Sequence, residues 1–243
     1  MGCVLGMSVP YELRVIESCI TCKLREDRLF CNLHGEALTE LNGLKFSASY
    51  PAGAVLFREG DIPQALMILC QGKAKLSAAS SEGKVVILNI AEPGEVLGLS
   101  SVISGHPHET MAETVEPTQV NVIRREDFLK FLQRFPEVGV HAARELSEVH
   151  NRACTELRLL GLAQSVPQKL AVLFLQWNEK APANLRGRLR LFLTQEELGQ
   201  LLGASRESIA RALGELRRQK IVSIRGATLQ ILNEPALRQI AGI

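Results

Sequence analysis

Residues 193–222, with the sequence LTQEELGQLLGASRESIARALGELRRQKIV, constrain the fold more than any other stretch of the chain. Thr194 can cap the first turn of a helix, and Glu197, three residues later, completes a capping box. Gly203 supplies the left-handed backbone conformation in which many helices end. Ser205 can cap a second helix directly afterwards. The stretch therefore predicts two helices joined by a tight turn.

Apolar residues mark the faces that these two helices should bury. They are Leu198, Leu201 and Leu202 on the first helix and Ile209, Leu213 and Leu216 on the second. The first helix and the turn would brace the second, as in helix-turn-helix proteins that place a recognition helix in the major groove of DNA. An ordinary helical hairpin with a solvated charged face is the alternative.

Polar side chains of the second helix lie away from its apolar stripe, near its N-terminal end. Arg211 can donate two hydrogen bonds to O6 and N7 of guanine, and Glu207 can accept one from N4 of cytosine. Basic residues at the other end suit phosphates, which add affinity without sequence choice. The predicted DNA contacts are Thr194, Gln195, Ser205, Arg206, Glu207, Arg211, Arg217, Arg218 and Lys220.

The residues after this motif extend it to a winged helix. Residues 221–232, IVSIRGATLQIL, contain two alternating strands around Arg225 and Gly226, which is the pattern of a β-hairpin. From Val166 onward the chain carries twelve Lys or Arg against six Glu and no Asp. This excess of positive charge favours a polyanionic partner.

Residues 47–125 show the pattern of an antiparallel sandwich or barrel. Glycines recur every 11 or 12 residues, with short β-favouring runs such as KVVILNI between them. The five glycines are Gly60, Gly72, Gly83, Gly94 and Gly105.

Residues 126–160 change to a helical period. Apolar residues follow one another at spacings of three and four, namely Phe128, Leu132, Phe135, Val138, Ala142, Leu146, Val149, Ala153, Leu157 and Leu160. Pro136 should mark the start of the long helix. Such a stripe predicts a helix that pairs with a second copy, and a helix packed on its own domain is the alternative.

Residues 36–242 resemble the CRP/FNR family of bacterial transcription regulators. The resemblance rests on YPAGAVLFREGD, LCQGKAKL and PGEVLGLSSVISG, on the long helix and, most specifically, on the helix-turn-helix motif. It implies an α+β chain with an N-terminal antiparallel β-roll (a cyclic-nucleotide-binding-like jelly roll), a long dimerisation helix and a C-terminal winged helix-turn-helix. It also implies a homodimer that binds a palindromic promoter in double-stranded DNA and contacts RNA polymerase.

The stretch SRESIAR is similar to the cyclic-AMP receptor branch of the family. By this resemblance Arg206, Glu207 and Arg211 hold the base-reading positions, and the expected half-site resembles TGTGA. The expected domains are a cysteine-containing segment (1–35), a sensory β-roll (36–125), a dimerisation helix (126–160), a hinge (161–166) and a DNA-binding domain (167–243).

Cyclic AMP is not expected as the ligand. The family needs an acid for the ribose and an Arg-Ser pair for the cyclic phosphate, and these positions match Leu99, Glu109 and Thr110 here. No Lys or Arg lies between Lys84 and Arg124. A phosphate beside Glu109 would lack a countercharge.

Three cysteines, Cys19, Cys22 and Cys31, precede the β-roll, where FNR-type regulators carry three ligands of a [4Fe–4S] cluster. The fourth ligand position matches Asn121, which is not a plausible ligand. Cys3 could complete the cluster. His34 would instead give a Cys3His set for zinc, and reduced thiols without metal are the third possibility.

The remaining residues give weaker expectations. Cys70 and Cys154 are interpreted as core and helix residues, and His106 and His108 as surface residues. We find no catalytic triad, Cys/His pair or P-loop, so an enzyme is not expected. No apolar run is long enough to span a bilayer and no secretion signal is evident, which predicts a cytoplasmic protein with no membrane partner.

Overall fold

The computed structural model describes residues 13, 15–26, 28, 30–162 and 165–243. The chain divides into two compact units. The first ends at Asn151 and the second begins at Arg152, except that residues 81–87 group with the second. None of the described helices combines the length and the apolar character that a membrane span requires.

The first unit is a β-roll flanked by helices. In chain order its elements are α1 (Gly35–Leu44), β1 (Phe46–Tyr50), β2 (Val55–Phe57), β3 (Ala65–Gln71), β4 (Ala74–Ala79), β5 (Val85–Ala91), β6 (Val96–Leu97), α2 (Leu99–Ser104), β7 (Met111–Thr114), β8 (Thr118–Arg124) and α3 (Arg125–Arg134). The strands form two four-stranded sheets, in the orders β1-β8-β3-β6 and β2-β7-β4-β5. The five evenly spaced glycines all have positive φ, as turn positions require. The predicted antiparallel roll is confirmed.

Two separate apolar clusters lie on opposite faces of the β1-β8-β3-β6 sheet. Leu69 of β3 and Val120 of β8 belong to the cluster inside the roll. Ile68 and Ile123 belong to a second cluster, which includes Cys19 and residues of α1, α2 and α3. Successive side chains of a strand point to opposite faces, so this one sheet supports both clusters.

The long helix, α4 (Pro136–Leu162), begins at the predicted proline. The first part of its apolar stripe is not available for pairing with a second copy. Val138 and Ala142 are buried in the cluster that contains Cys19, and Leu146 packs against it. Val149 and Leu157 are 43% and 69% exposed. One continuous self-pairing stripe is therefore wrong for the first half, because its own unit covers those side chains; the Leu160 side chain lies outside the described residues.

The second unit is a winged helix. Its elements are α5 (Val166–Lys180), a 3-10 turn (Ala183–Leu185), β9 (Arg188–Arg190), α6 (Gln195–Leu202), α7 (Arg206–Arg218), β10 (Val222–Arg225), β11 (Thr228–Ile231) and α8 (Glu234–Ala241). The strands form an antiparallel sheet in the order β10-β11-β9. The α+β fold class, with a β-roll, a long helix and a winged helix-turn-helix, is confirmed. Within the predicted hinge at 161–166, residues 163 and 164 lie outside the described part of the chain.

Candidate nucleic-acid interface and cysteine cluster

The turn between α6 and α7 is built by local hydrogen bonds. Thr194 Oγ1 accepts from the backbone N–H of Glu197 at 3.2 Å, and Glu197 Oε2 accepts from the backbone N–H of Thr194 at 2.9 Å. This is the predicted capping box. Gly203 ends α6 with φ 61°, and Ser205 Oγ accepts from the N–H of Ser208 at 3.2 Å to begin α7. The start and direction of α7 are thus set by residues within about ten positions of it in sequence.

Gly199 is a structural determinant of this turn that the sequence analysis missed. It is buried in the middle of α6, and a Cβ placed there would lie 2.5 Å from the carbonyl oxygen of Ala204. Leu201, predicted to lie on the buried face of α6, is half-buried. A glycine inside an otherwise good helix pattern was the available signal, since such a glycine needs a packing reason.

Helix α7 buries its apolar stripe and exposes its polar face. Its buried residues are Ile209, Ala212, Leu213 and Leu216. Arg206, Glu207 and Arg211 are exposed at the N-terminal end, as the sequence predicts. Arg211 Nη2 donates to Ser208 Oγ at 3.3 Å, which positions the guanidinium group beside the helix start.

The Glu207 carboxylate is stabilised in its charged form. Hydrogen bonds from its own backbone N–H and from the Ser205 hydroxyl lower the pKa of Glu207 below its ordinary value; desolvation opposes this, and the charges of Arg206 and Arg211 add to the lowering. The side chain is fully exposed. It is therefore an ionised acceptor at neutral pH.

The other predicted contacts also lie at the surface of the second unit. Thr194, Gln195, Ser205, Arg217, Arg218 and Lys220 are all exposed. Arg218 pairs with Glu215 one turn earlier in α7. The sequence analysis did not assign a role to the exposed arginines of the wing sheet, Arg188, Arg190 and Arg225, although all three lie on or beside the β9 and β10 strands. These arginines extend the positive surface beyond α7.

The cysteine-containing segment lies against the sheet face formed by β1, β8 and β3. Gln119 of β8 makes two hydrogen bonds to the backbone of Ile16, at 2.8 and 2.7 Å. Asn121 Nδ2, two residues further along β8, donates to Cys19 Sγ at 3.5 Å. Cys19 is buried, while Cys22 and Cys31 are half-buried. The structure thus brings the three predicted cysteines to one face of the roll.

Cys70 is in the core, as predicted, but it also belongs to this group of cysteines. Burial and the thiol of Cys19 raise the pKa of Cys70 to about 12, Cys22 adds to the rise, and Arg28 and a backbone hydrogen bond from Asn121 oppose it. Burial raises the pKa of Cys31 to about 12 as well, and the thiols of Cys70 and Cys19 are the next causes. Each of these thiols therefore lies within electrostatic range of the others.

Of the two other proposed ligands, His34 does not join them. His34 is exposed at the position that precedes α1. Cys3 lies outside the described residues. Within the part of the chain that the structure describes, no three His, Cys, Asp or Glu side chains are close enough to bind a single metal ion. Thiolates on one zinc ion would lie about 3.8 Å apart, given Zn–S bonds of about 2.3 Å.

The residues matched to a cyclic-nucleotide site lack the chemistry for one. Leu99 begins α2 and is 3% exposed in an apolar cluster, and Glu109 is exposed. His108 is buried, so its interpretation as a surface residue is wrong, whereas His106 is exposed. The His108 ring stacks on Phe57 with centroids 4.0 Å apart, and burial lowers its pKa despite nearby Asp61. This neutral ring offers no countercharge for a phosphate.

Comparisons with known proteins agree with both units. Residues 47–135 match the family model of a cyclic nucleotide-binding domain, and residues 168–240 match that of a Crp-like helix-turn-helix domain. The chain is 29% identical over 192 residues to the Cyclic AMP receptor protein of Thermus thermophilus, covering 79% of this chain and 86% of that one. It is 26% identical over 195 residues to the Fumarate and nitrate reduction regulatory protein of Vibrio cholerae, covering 79% and 76%.

A solved structure supports the fold independently. FixK2 from Bradyrhizobium japonicum superposes with a TM-score of 0.72 and 23% identity, covering 81% of this chain and 96% of that one.

We predict that Gly199→Ala destabilises the second unit, because the new Cβ meets the Ala204 carbonyl oxygen. A forced clash of this kind costs about 1–3 kcal/mol. Gly214→Ala is the matched control, since nothing lies within 4 Å of a Cβ at this exposed-side position of α7. It should stabilise by about 0.5–1 kcal/mol. Urea unfolding of the full chain measures both, and equal stabilities for the two variants would contradict the close approach.

Proposed function

We propose that this chain, which belongs to the CRP/FNR family of DNA-binding transcription regulators, binds a palindromic promoter as a homodimer. We further propose that it senses oxygen or redox state through an iron–sulfur cluster held by its N-terminal cysteines. The observation that carries the proposal is the exposed set of Arg206, Glu207 and Arg211 at the start of α7. RNA polymerase is the further partner we propose, and the cytoplasm, where bacterial DNA lies, is the proposed location.

The chemistry of α7 suits base reading in the major groove. Arg211 is held beside Ser208 and can donate two hydrogen bonds to one guanine. Ionised Glu207 can accept from the exocyclic amine of a cytosine. Ser205 and the arginines at the far end of α7 lie where phosphate contacts fix the position of a recognition helix. These contacts together supply both sequence choice and affinity.

We predict that replacing Arg206, Glu207 and Arg211 with Ala removes sequence preference. Each lost base contact costs about 1–3 kcal/mol, so the preference for a palindromic duplex over random DNA should fall at least about 100-fold. Fluorescence anisotropy at several salt concentrations measures it. The control, Arg217→Ala, should weaken binding to both duplexes equally and reduce the salt slope by about 1. An unchanged preference in the triple variant would refute base reading by α7.

The exposed face of α4 is suited to pairing with a second copy. Its residues recur at alternating spacings of three and four and are all exposed, namely Val140, Ala143, Ser147, His150, Cys154 and Leu157. This face is offset from the side chains of Val138 and Ala142, which the first unit covers. The spacing is that of a two-stranded coiled coil. A two-fold dimer built on it would present two copies of α7 to half-sites one helical turn apart.

We predict that Leu157→Glu converts the dimer to monomers. A charge at this position loses a buried apolar contact, which we expect to weaken association by at least about 2 kcal/mol, or about 30-fold. Val149→Glu is the control, because Val149 is also exposed but lies off this face. Light scattering should give twice the 26.7 kDa chain mass for the control and the chain mass for Leu157→Glu. A dimer in both would place the interface elsewhere.

Iron–sulfur ligation fits the cysteine segment better than a single zinc ion does. When bound, such a cluster supplies chemistry that responds to oxygen and to reductants. Cys19, Cys22 and Cys31 would hold it through thiolates. Burial raises the pKa of both Cys19 and Cys31, and the charges of Lys45 and Arg28 oppose that rise.

Zinc and cyclic AMP are the less favoured ligands. A Cys3His zinc site is disfavoured because His34 is exposed. A cyclic phosphate is disfavoured because Leu99 is a buried apolar residue and Glu109 is acidic. A DNA-binding regulator with structural zinc or no metal is the alternative function.

We predict that protein purified without oxygen is brown and contains iron and acid-labile sulfide, about four of each per chain. Exposure to air should bleach the visible absorbance. Elemental analysis and absorbance spectra of one preparation, before and after exposure, test this. A colourless protein with one zinc per chain, or with no metal, would contradict the cluster and leave the DNA-binding function in place.

A further inference from the structure

We propose that Cys70 supplies the fourth thiolate ligand of the N-terminal iron–sulfur cluster. The inference rests on the proposed function, since it assumes that Cys19, Cys22 and Cys31 hold a cluster. The family resemblance places the fourth ligand on β8, at the position of Asn121. Here the thiol lies instead on β3, the strand that pairs with β8.

The register of β3 and β8 places Cys70 between the partners of Val120 and Gln119, one pair away from Asn121. Ile68 lies opposite Asn121 and Leu69 opposite Val120, but Gln71 lies opposite Gln119. The register therefore shifts at Cys70, which is the extra residue of an irregularity in β3. Bulges of this kind redirect a side chain.

The neighbours of Cys70 on β3 lie on both faces of this sheet. Leu69 contributes to the cluster inside the roll. Ile68 contributes to the cluster on the other face, which contains Cys19. Cys70 is 5% exposed, and the next residue, Gln71, donates to Gln119, whose side chain also bonds the backbone of Ile16 in the cysteine segment.

Asn121 contacts two of the four cysteines. Its side-chain amide donates to Cys19 Sγ at 3.5 Å, and its backbone N–H bonds the thiol of Cys70. Cys19 and Cys70 are therefore both close to one β8 residue. Ser47 Oγ donates to Asn121 Oδ1 at 2.8 Å, which fixes the amide so that its N–H faces Cys19.

The electrostatic effects among the thiols agree with this arrangement. Cys19 and Cys22 both raise the pKa of Cys70, and Cys70 raises the pKa of Cys31 more than any other nearby charge does. The positive charge of Arg28 instead acts to lower the pKa of both Cys31 and Cys70.

Ligation by Cys70 is chemically balanced. Each of the four thiols releases its proton to solvent and forms one iron–sulfur bond, and no thiol changes oxidation state. Arg28 and Lys45 offset part of the negative charge of four thiolates. Cys19 and Cys70 are buried, while Cys22 and Cys31 are half-buried.

The test measures iron, sulfide and visible absorbance after anaerobic reconstitution of the full chain. Cys70→Ser and Cys70→Ala should each retain less than about a tenth of the wild-type iron as an intact cluster, as should Cys19→Ser. Val120→Thr is the matched control. It also puts a hydroxyl group into the buried part of this sheet, but on the face inside the roll, and it should load like the wild type.

A rescue variant separates ligation from folding. Asn121→Cys in the Cys70→Ser background returns a thiol to the neighbouring strand, and we expect it to restore the absorbance and at least half of the iron. Wild-type loading by both Cys70 variants, with loss in Cys19→Ser, would overturn the role of Cys70 while leaving the cluster itself. Failure of the wild type and of Val120→Thr to load would overturn the cluster. Ligation by Cys70 would also be overturned if Cys70→Ser lost the cluster, Asn121→Cys did not restore it, and Cys70→Ala loaded iron normally.

Discussion

The alternation of side chains along the paired strands β3 and β8 is the constraint on which the first unit depends. Leu69 and Val120 fill the interior of the roll, while Ile68 and Asn121 face the helices and the cysteine segment. Two strands therefore support the core and the candidate sensor at once. Because each residue is fixed to one face, a change in contacts on the cysteine side acts directly on strands whose other side packs the roll.

The same face also contacts the beginning of α4. Val138 and Ala142 lie in the apolar cluster that contains Cys19, and Glu145 Oε1 accepts a hydrogen bond from the N–H of Val96 at 3.4 Å. Gain or loss of a group bound to the cysteines would alter a cluster to which the proposed pairing helix belongs. Such a shift between two packed arrangements is a physical route from a sensor to a dimer interface.

Local signals made the winged helix predictable from the sequence. The capping box, Gly203 and Ser205 all act within a few residues, so the bounds of α6 and α7 follow from spacing alone. Pro136 marked the start of α4 for the same reason. Gly199 was missed because its role depends on how closely α6 approaches the carbonyl of Ala204.

Features that depend on contacts between distant residues were not predictable. His108 is buried by stacking on Phe57, some fifty residues earlier. The apolar stripe of α4 gave no sign that its first half is covered by its own unit. Cys70 appeared to be an ordinary strand residue, because only the register with β8 and the position of the N-terminal segment bring it to Cys19.

The most direct test of this account is promoter affinity measured on one anaerobic sample before and after a brief exposure to air. Anisotropy with a palindromic duplex should show affinity falling about 5–150-fold as the visible absorbance bleaches, the range of a coupling of about 1–3 kcal/mol. Cys19→Ser should bind with the weaker affinity throughout. Equal affinity before and after complete bleaching would contradict the claim that the cysteine cluster controls DNA binding.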